Sequence, residues 1–508
     1  MGFTSILFGE WEQTLKTDMP GFFKDLQLDY LLEQIKEFTK GYRIAPYFYT
    51  FPRQKELIVY RQQVGKDMES EELCEALRDF SIRLQKSRQV YQLSMQSEGT
   101  VQKATYHLQA AGLYREALVC LQQEMKTLQV QSAGLQAFRV YLDEQVNWLT
   151  ESGFEEGLRV AETFFSKLTF SLSVDKDKLL VEEGSKDGKN YFERLAELLQ
   201  YPMQKKDTVM TDVFPEPLEL SYFESVLVGI LKKSKPQVFE GIRAFYDAFP
   251  SFYSEIILRF DEEVQLYLGF EKFRRKTERM GYPMSVPTVT EATEFFGKGV
   301  YDLALVWKHA DQNYPVVSND FSMPQQPSFF VVTGPNQGGK TTFARSVGQA
   351  VYFSLMGLAA NAESLTVPLF GGISTHFETE ESMESNSGKL KEEINRLVPM
   401  VTGVHNKNQF VILNELFTTA TTHDAMVMGR KVMEYFLERE CHGIYVTHIQ
   451  ELAEETDSII SLVAQLAPGE EGKRTYRILP MPAEGQGYSD VLVKKYSLTY
   501  EEIVRRLA

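Results

Sequence analysis

FFVVTGPNQGGKTT, residues 329–342, is the stretch on which the fold turns. Phe329 to Thr333 is a short apolar, β-branched run that reads as a buried strand, and Thr342 to Gln349 reads as a helix. Between them Gly334, Pro335, Asn336, Gln337, Gly338, Gly339, Lys340 and Thr341 complete the pattern G-x-x-x-x-G-K-[ST]. Glycines in such a loop let backbone N–H groups close around phosphate oxygens, and the helix start adds positive potential. Lys340 is then expected to reach the β- and γ-phosphates of ATP, and the Thr341 hydroxyl to ligate Mg²⁺, with Thr342 in the first helical turn.

A second apolar run, Phe410 to Leu413, leads into Asn414 and Glu415. An Asp usually stands at the first of these positions and its charge helps to fix Mg²⁺. Asn414 keeps a carbonyl acceptor and loses that charge, so weaker Mg²⁺ binding is expected. Glu415 is placed to orient or deprotonate an attacking water. A third run, Gly443 to Thr447, ends in His448, which reads as a sensor of the γ-phosphate. The adenine contacts stay open, because Pro315 to Ser318 holds no aromatic residue.

Upstream the texture differs. Leu26–Phe38, Glu71–Leu93 and Gln102–Leu128 repeat apolar residues at helical intervals and contain no proline. Thr169 to Val174 alternates strictly, and Lys178 to Val181 is a partner for it, so a small β insertion is expected there. Gly184 to Lys189 reads as a turn, with helices resuming at Tyr191 and from Leu218 to Tyr267. Gly281, Pro283 and Pro287 mark the best boundary, dividing a mainly helical part, 1–285, with its β insertion near 168–185, from an α/β part, 286–508.

Composition narrows the class. The 508 residues are 43% hydrophobic and 24% charged with a net charge of −16, the balance of a globular protein without a generally basic coat. No apolar run approaches the ~18 residues of a membrane span, the longest lying around Tyr352 to Ala360. The opening MGFTSILFGEWEQ has no basic region and meets Glu10 early, unlike a signal peptide. Three scattered cysteines suit a reducing cytoplasm, and Cys441, His442 and His448 fit no common metal spacing. Lys232–Lys235 and Lys272–Arg279 are the strongest basic clusters, readable as phosphate contacts or as solvated helix faces balanced by nearby acids.

These segments together resemble the MutS family of DNA mismatch-repair proteins. TGPNQGGKTTF is similar to its TGPNMGGKST loop, NELFTTATTHDA (414–425) to its DEIGRGTSTYDG, and VTHIQEL (446–452) to its ATHYxEL. SGKLKE (387–392) stands where that family carries its signature loop STFxxE, and YPVV (314–317) with Asn319 and Asp320 resembles its HPVV…ND entry. More loosely, FFKDLQLD (22–29) and LIVYRQQV (57–64) resemble the start of its helical core, and no counterpart of its mismatch-reading domain is expected.

The resemblance implies an α/β P-loop ATPase domain of the ABC/MutS type behind a helical core and lever. It also implies a homodimer in which ATP lies between one phosphate loop and the partner's signature loop near Ser387, dimerised further by a C-terminal helical region from Leu498. The function it implies is a nucleotide-gated clamp on double-stranded DNA in repair or recombination. Asn414 and the missing glycines at Phe417 to Thr421 bear on hydrolysis more than on binding. They leave open a second reading, a nucleotide-gated scaffold with little turnover that binds a protein partner.

Overall fold

The computed structural model describes residues 2–11, 14–166, 170–175, 178–183, 222–310, 312, 314–377, 389–402, 407–467, 474–483 and 504–505. Two compact units divide the chain. One comprises Met1–Phe3, Ser70–Val130 and Gln136–Leu258, the other Thr4–Glu69, Gln131–Leu135 and Arg259–Ala508.

The first unit is built on two long helices, Glu71–Gln96 and Thr100–Thr127, running antiparallel. Ser70 begins the former by accepting from the Leu73 N–H at 3.2 Å, satisfying a donor the helix cannot. Leu73, Leu77, Phe80 and Leu84 form its buried stripe, and Leu108, Tyr114, Leu118 and Leu121 the stripe of the latter. The hydroxyls of Ser87 and Ser94 donate to the carbonyls of Ala110 and Lys103, fixing the pairing. His107 is buried among aromatic rings, its Nε2 2.7 Å from the Phe249 carbonyl. The alternating segment forms strand β1 (Phe170–Asp175), which pairs antiparallel with β2 (Lys178–Glu183). The turn at 184–189 and the helix resuming at Tyr191 lie outside the described residues.

The second unit contains the expected buried strands and more. Strands β3 (Thr288–Thr290), β4 (Phe295–Val300), β5 (Asn319–Met323) and β7 (Ser364–Pro368) form one sheet in the order β3-β7-β4-β5. The larger sheet holds β6 (Phe329–Thr333), β8 (Gly372–His376), β9 (Gln409–Asn414), β10 (His442–Val446), β11 (Ile459–Leu466) and β12 (Arg474–Pro480). Its order is β12-β11-β6-β10-β9-β8, parallel throughout except for the antiparallel pair β11 and β12. The order makes β6 and β9, far apart in sequence, both parallel neighbours of β10, so their C-terminal ends flank that of β10 on one edge of the sheet.

All five residues of β6 and of β10 are buried, which accounts for apolar runs without alternation. The helix Lys340–Met356 is buried along nearly its whole length and stops at Gly357, which adopts a left-handed φ of 74°. Gly443 in β10 shows how tightly the strands meet. A Cβ there would fall 2.6 Å from the Val411 carbonyl oxygen and against the Phe329 ring. Gly443→Ala is expected to cost about 2–3 kcal/mol through overpacking, read as a lowered midpoint in urea unfolding.

Candidate functional site

The loop after β6 owes its path to its glycines. Gly334 has φ 117°, and a Cβ there would lie 3.0 Å from the backbone of Ala464 on β11. The Gly338 N–H donates to the Pro335 carbonyl at 3.1 Å, and the Phe343 N–H to that of Gly339 at 2.8 Å. The second bond closes the first helical turn, so the amides of Lys340, Thr341 and Thr342 belong to the orphan donors of a helix N-terminus. Lys340 is 5% exposed, and its ammonium donates to the carbonyls of Gly334 at 2.9 Å and Pro335 at 3.3 Å. Burial lowers its pKa, while the Glu415 carboxylate acts in the opposite direction.

The end of β9 meets this loop directly. The Thr341 hydroxyl donates to Asn414 Oδ1 at 2.9 Å. Two oxygens suited to a divalent cation therefore sit together, one of them from an uncharged amide. Glu415 follows in a left-handed conformation, φ 54°, its N–H donating to the Val446 carbonyl at 2.8 Å. That backbone turn presents its carboxylate to His448, whose Nε2 is 2.9 Å from Glu415 Oε1. The hydrogen bond from His448 holds the Glu415 pKa below the usual carboxylate range, against the opposing effect of burial. Glu415 is thus ionised near neutrality and is a weaker base than a free carboxylate, better suited to orienting a water by hydrogen bonding.

A cleft of about 740 Å³ opens over these groups, a volume that accommodates a nucleotide-sized ligand. Asn336 to Phe343, Glu415 and His448 line it, and Tyr314, His309 and Tyr476 supply aromatic walls. Reading residues 315–318 alone missed these rings. Tyr314 was visible as the residue before Pro315, but Tyr476 arrives through sheet register, from β12 beside β11. Asn319 secures it: Asn319 Nδ2 donates to the Tyr476 carbonyl at 3.2 Å, and the Ile478 N–H donates to Asn319 Oδ1 at 2.8 Å. Tyr476 itself holds a left-handed φ of 58°, which costs a non-glycine residue energy and needs such support.

The other sequence-derived positions divide clearly. Gly334 and Pro335 act through the carbonyls that hold Lys340. Ser387 and the C-terminal region from Leu498 to Tyr500 lie outside the described residues. Within the basic cluster 272–279, Arg274 pairs with Glu271 and Glu278, and Arg275 with Glu271, at 2.7–2.8 Å. Lys276 lies 4.7 Å from the centroid of the Trp307 ring, so this cluster is substantially engaged within the fold. No group of three metal-ligating side chains occurs among the described residues, and no described helix is long and apolar enough to cross a membrane.

Residues 330–475, which carry the loop, Asn414, Glu415, His448 and most of the large sheet, match MutS domain V. Over this stretch the chain resembles the MutS family. It is 29% identical over 143 residues to the DNA mismatch repair protein MutS of Thermotoga maritima, covering 28% of this chain and 18% of that protein. Over 138 residues it is 28% identical to the DNA mismatch repair protein MSH4 of Arabidopsis thaliana, covering 27% of this chain and 17% of that one. The protein MSH6 of the same plant is 28% identical over 166 residues, covering 31% and 12%. The matched region thus spans less than a fifth of the length of each of these relatives.

Proposed function

We propose that this chain is a Mg²⁺-dependent ATP-binding protein and ATPase whose nucleotide state governs its grip on DNA, in mismatch repair or a related repair or recombination process. The observation carrying this reading is the convergence of Lys340, the Thr341–Asn414 pair and the Glu415–His448 pair on one cleft. In it the α/β part, 286–508, is the P-loop ATPase and the helical part, 1–285, the core and lever. The names of the matched relatives, all DNA mismatch repair proteins, support the DNA partner.

The roles follow from the groups present. The loop amides and Lys340 bind the phosphates, Lys340 exchanging the Gly334 and Pro335 carbonyls for phosphoryl oxygens of greater charge. Thr341 Oγ1 and Asn414 Oδ1 would hold Mg²⁺, which in such sites neutralises charge on the β- and γ-phosphates. Glu415 orients the attacking water, and His448 reports the γ-phosphate back to Glu415 through their shared hydrogen bond. Tyr314, His309 and Tyr476 present ring faces and edges to a base. A homodimer would complete the site with the partner's loop near Ser387, and burial of the γ-phosphate between the subunits would couple turnover to opening and closing.

Steady-state ATP hydrolysis with Mg²⁺, with and without double-stranded DNA and beside Lys340→Ala, tests this reading. Turnover that responds to DNA and disappears in Lys340→Ala is expected. Tight ATP binding without turnover and indifferent to DNA would instead favour the second reading, a nucleotide-gated scaffold that binds a protein partner. The observation favouring that alternative is Asn414 itself, the uncharged side chain at the Mg²⁺ position.

Asn414→Asp separates charge from geometry. The carboxylate keeps the acceptor for Thr341 and restores the negative charge, so the Mg²⁺ concentration giving half-maximal nucleotide binding is expected to fall about tenfold. A Mg²⁺ titration monitored by nucleotide binding measures this; an unchanged midpoint would remove Asn414 from the metal site.

A further inference from the structure

The helix that starts at Lys340 is anchored at its far end by a buried charge. Arg61, in the helix Lys55–Asp67, is fully buried. Its Nε donates to the Leu7 carbonyl at 2.9 Å, and its Nη1 to the Met356 carbonyl at 3.3 Å. Met356 is the last residue of the Lys340–Met356 helix, so the guanidinium meets the negative end of that helix and its unsatisfied carbonyls. The approach is close: a Cβ on Gly357 would lie 2.7 Å from Arg61 Cβ and 2.9 Å from the Ile58 carbonyl oxygen.

The other anchor of Arg61, the segment 4–9, is itself pinned. The Tyr60 hydroxyl donates to the Ser5 carbonyl at 2.9 Å. Glu263 Oε2 accepts from the Ser5 hydroxyl at 2.8 Å and from the Ile6 N–H at 2.9 Å. The Phe8 ring lies 5.0 Å from the Arg61 guanidinium carbon. Arg61 Nη2 and the Tyr267 hydroxyl are buried without a hydrogen-bond partner among the described residues. Tyr267 and Gly357 also border a cavity of about 270 Å³, together with Ser285, whose hydroxyl is likewise unpartnered. Such orphans are costly in a settled core, and here they surround the seat of a helix with space beside it.

We propose that Arg61 is a positioning residue for the nucleotide site, acting through the Lys340–Met356 helix. Held between the carbonyls of Leu7 and Met356, it sets the axial position of that helix. A helix of 17 residues transmits a shift at one end to the other as a rod, about 25 Å long. The place of Lys340 and Thr341 in the cleft therefore depends on Arg61. The proposal rests on the nucleotide reading of the cleft only for the identity of the ligand.

Hydrogen exchange of the full chain without nucleotide, followed by ATP titration, tests it on Arg61→Met and Arg61→Lys. Arg61→Met is expected to speed amide exchange across residues 334–342 while leaving the helix Thr422–Leu437 unchanged, and to weaken ATP binding about tenfold. Arg61→Lys, which keeps the charge but reaches fewer carbonyls, is expected to recover part of both. Tyr60→Phe, losing only the bond to Ser5, gives the same signs at smaller size and serves if Arg61→Met fails to fold. Exchange changes confined to residues near Gly357, or spread uniformly over the chain, would overturn the proposal, as would unaltered exchange at 334–342. Failure of the unsubstituted protein to bind ATP would count against the nucleotide reading, and exchange at 334–342 would then decide the role of Arg61.

Discussion

Glu415→Ala is expected to lower ATP turnover about 10²- to 10⁴-fold while leaving ATP bound. The hydrogen bonds of Lys340 to the Gly334 and Pro335 carbonyls and of the Thr341–Asn414 pair do not involve Glu415 and are left in place by the change. Binding and turnover should therefore separate, and ATP should accumulate in a closed dimer. Glu415→Gln refines the test, because its amide oxygen can still accept from His448 Nε2. If the charge on Glu415 matters, Gln is as slow as Ala; if only orientation matters, Gln recovers much of the rate. Single-turnover hydrolysis beside equilibrium binding gives both quantities. Loss of binding in parallel with turnover would contradict the assigned role, as would ATP released at an unchanged rate from a monomer.

Acid lability is the second large effect. His376 at the end of β8 and His442 at the start of β10 are each 1% exposed. Burial pushes both down to about 4, with the Arg396 guanidinium adding to the effect at His376. An unfolded histidine titrates near 6.5, so the unfolded chain takes up these protons first. The stabilisation from keeping them neutral is complete above about pH 6.5 and is lost as pH falls toward 4. By pH 5 each accounts for about 2 kcal/mol, and the two together for about 4 kcal/mol, a large share of a typical folding free energy of about 5–15 kcal/mol. Asp25, Glu263 and Glu271, whose carboxyls burial raises, work in the opposite direction as they protonate. The difference between the protein and His442→Leu isolates the histidine effect: the variant should lose about 2 kcal/mol less between pH 7.5 and 5 in urea unfolding. Identical pH profiles would show that His442 contributes nothing.

The parts of the site legible in the sequence were those whose chemistry is local. A glycine-rich turn between an apolar strand and a helix has few other readings, and Phe329–Thr333 is a strand and Lys340–Met356 a helix. The same holds for the apolar runs that became β9 and β10, since central parallel strands must be apolar on both faces. The sheet β3-β7-β4-β5 was not legible, because strands as short as Thr288–Thr290 and interrupted by Gly297 and Gly299 carry little periodic signal. The aromatic walls of the cleft depend on long-range register. Nothing near Tyr476 in the chain indicates that Asn319, from another strand and sheet, holds it over Gly339. Arg61 was seen only as part of a motif, since an arginine in a helix ordinarily faces water. Its burial becomes intelligible once Leu7 and Met356 are found on either side of it.

The loop from Gly334 to Thr341 is expected to bind nucleotide through Lys340. Calorimetric titration of ATP with Mg²⁺ into the full chain, beside Lys340→Ala, tests it most directly. Saturable binding at one site per chain, weakened at least about 100-fold by Lys340→Ala, is the predicted result. No binding to the unsubstituted chain, or equal binding to both proteins, would show that this loop does not hold nucleotide through Lys340.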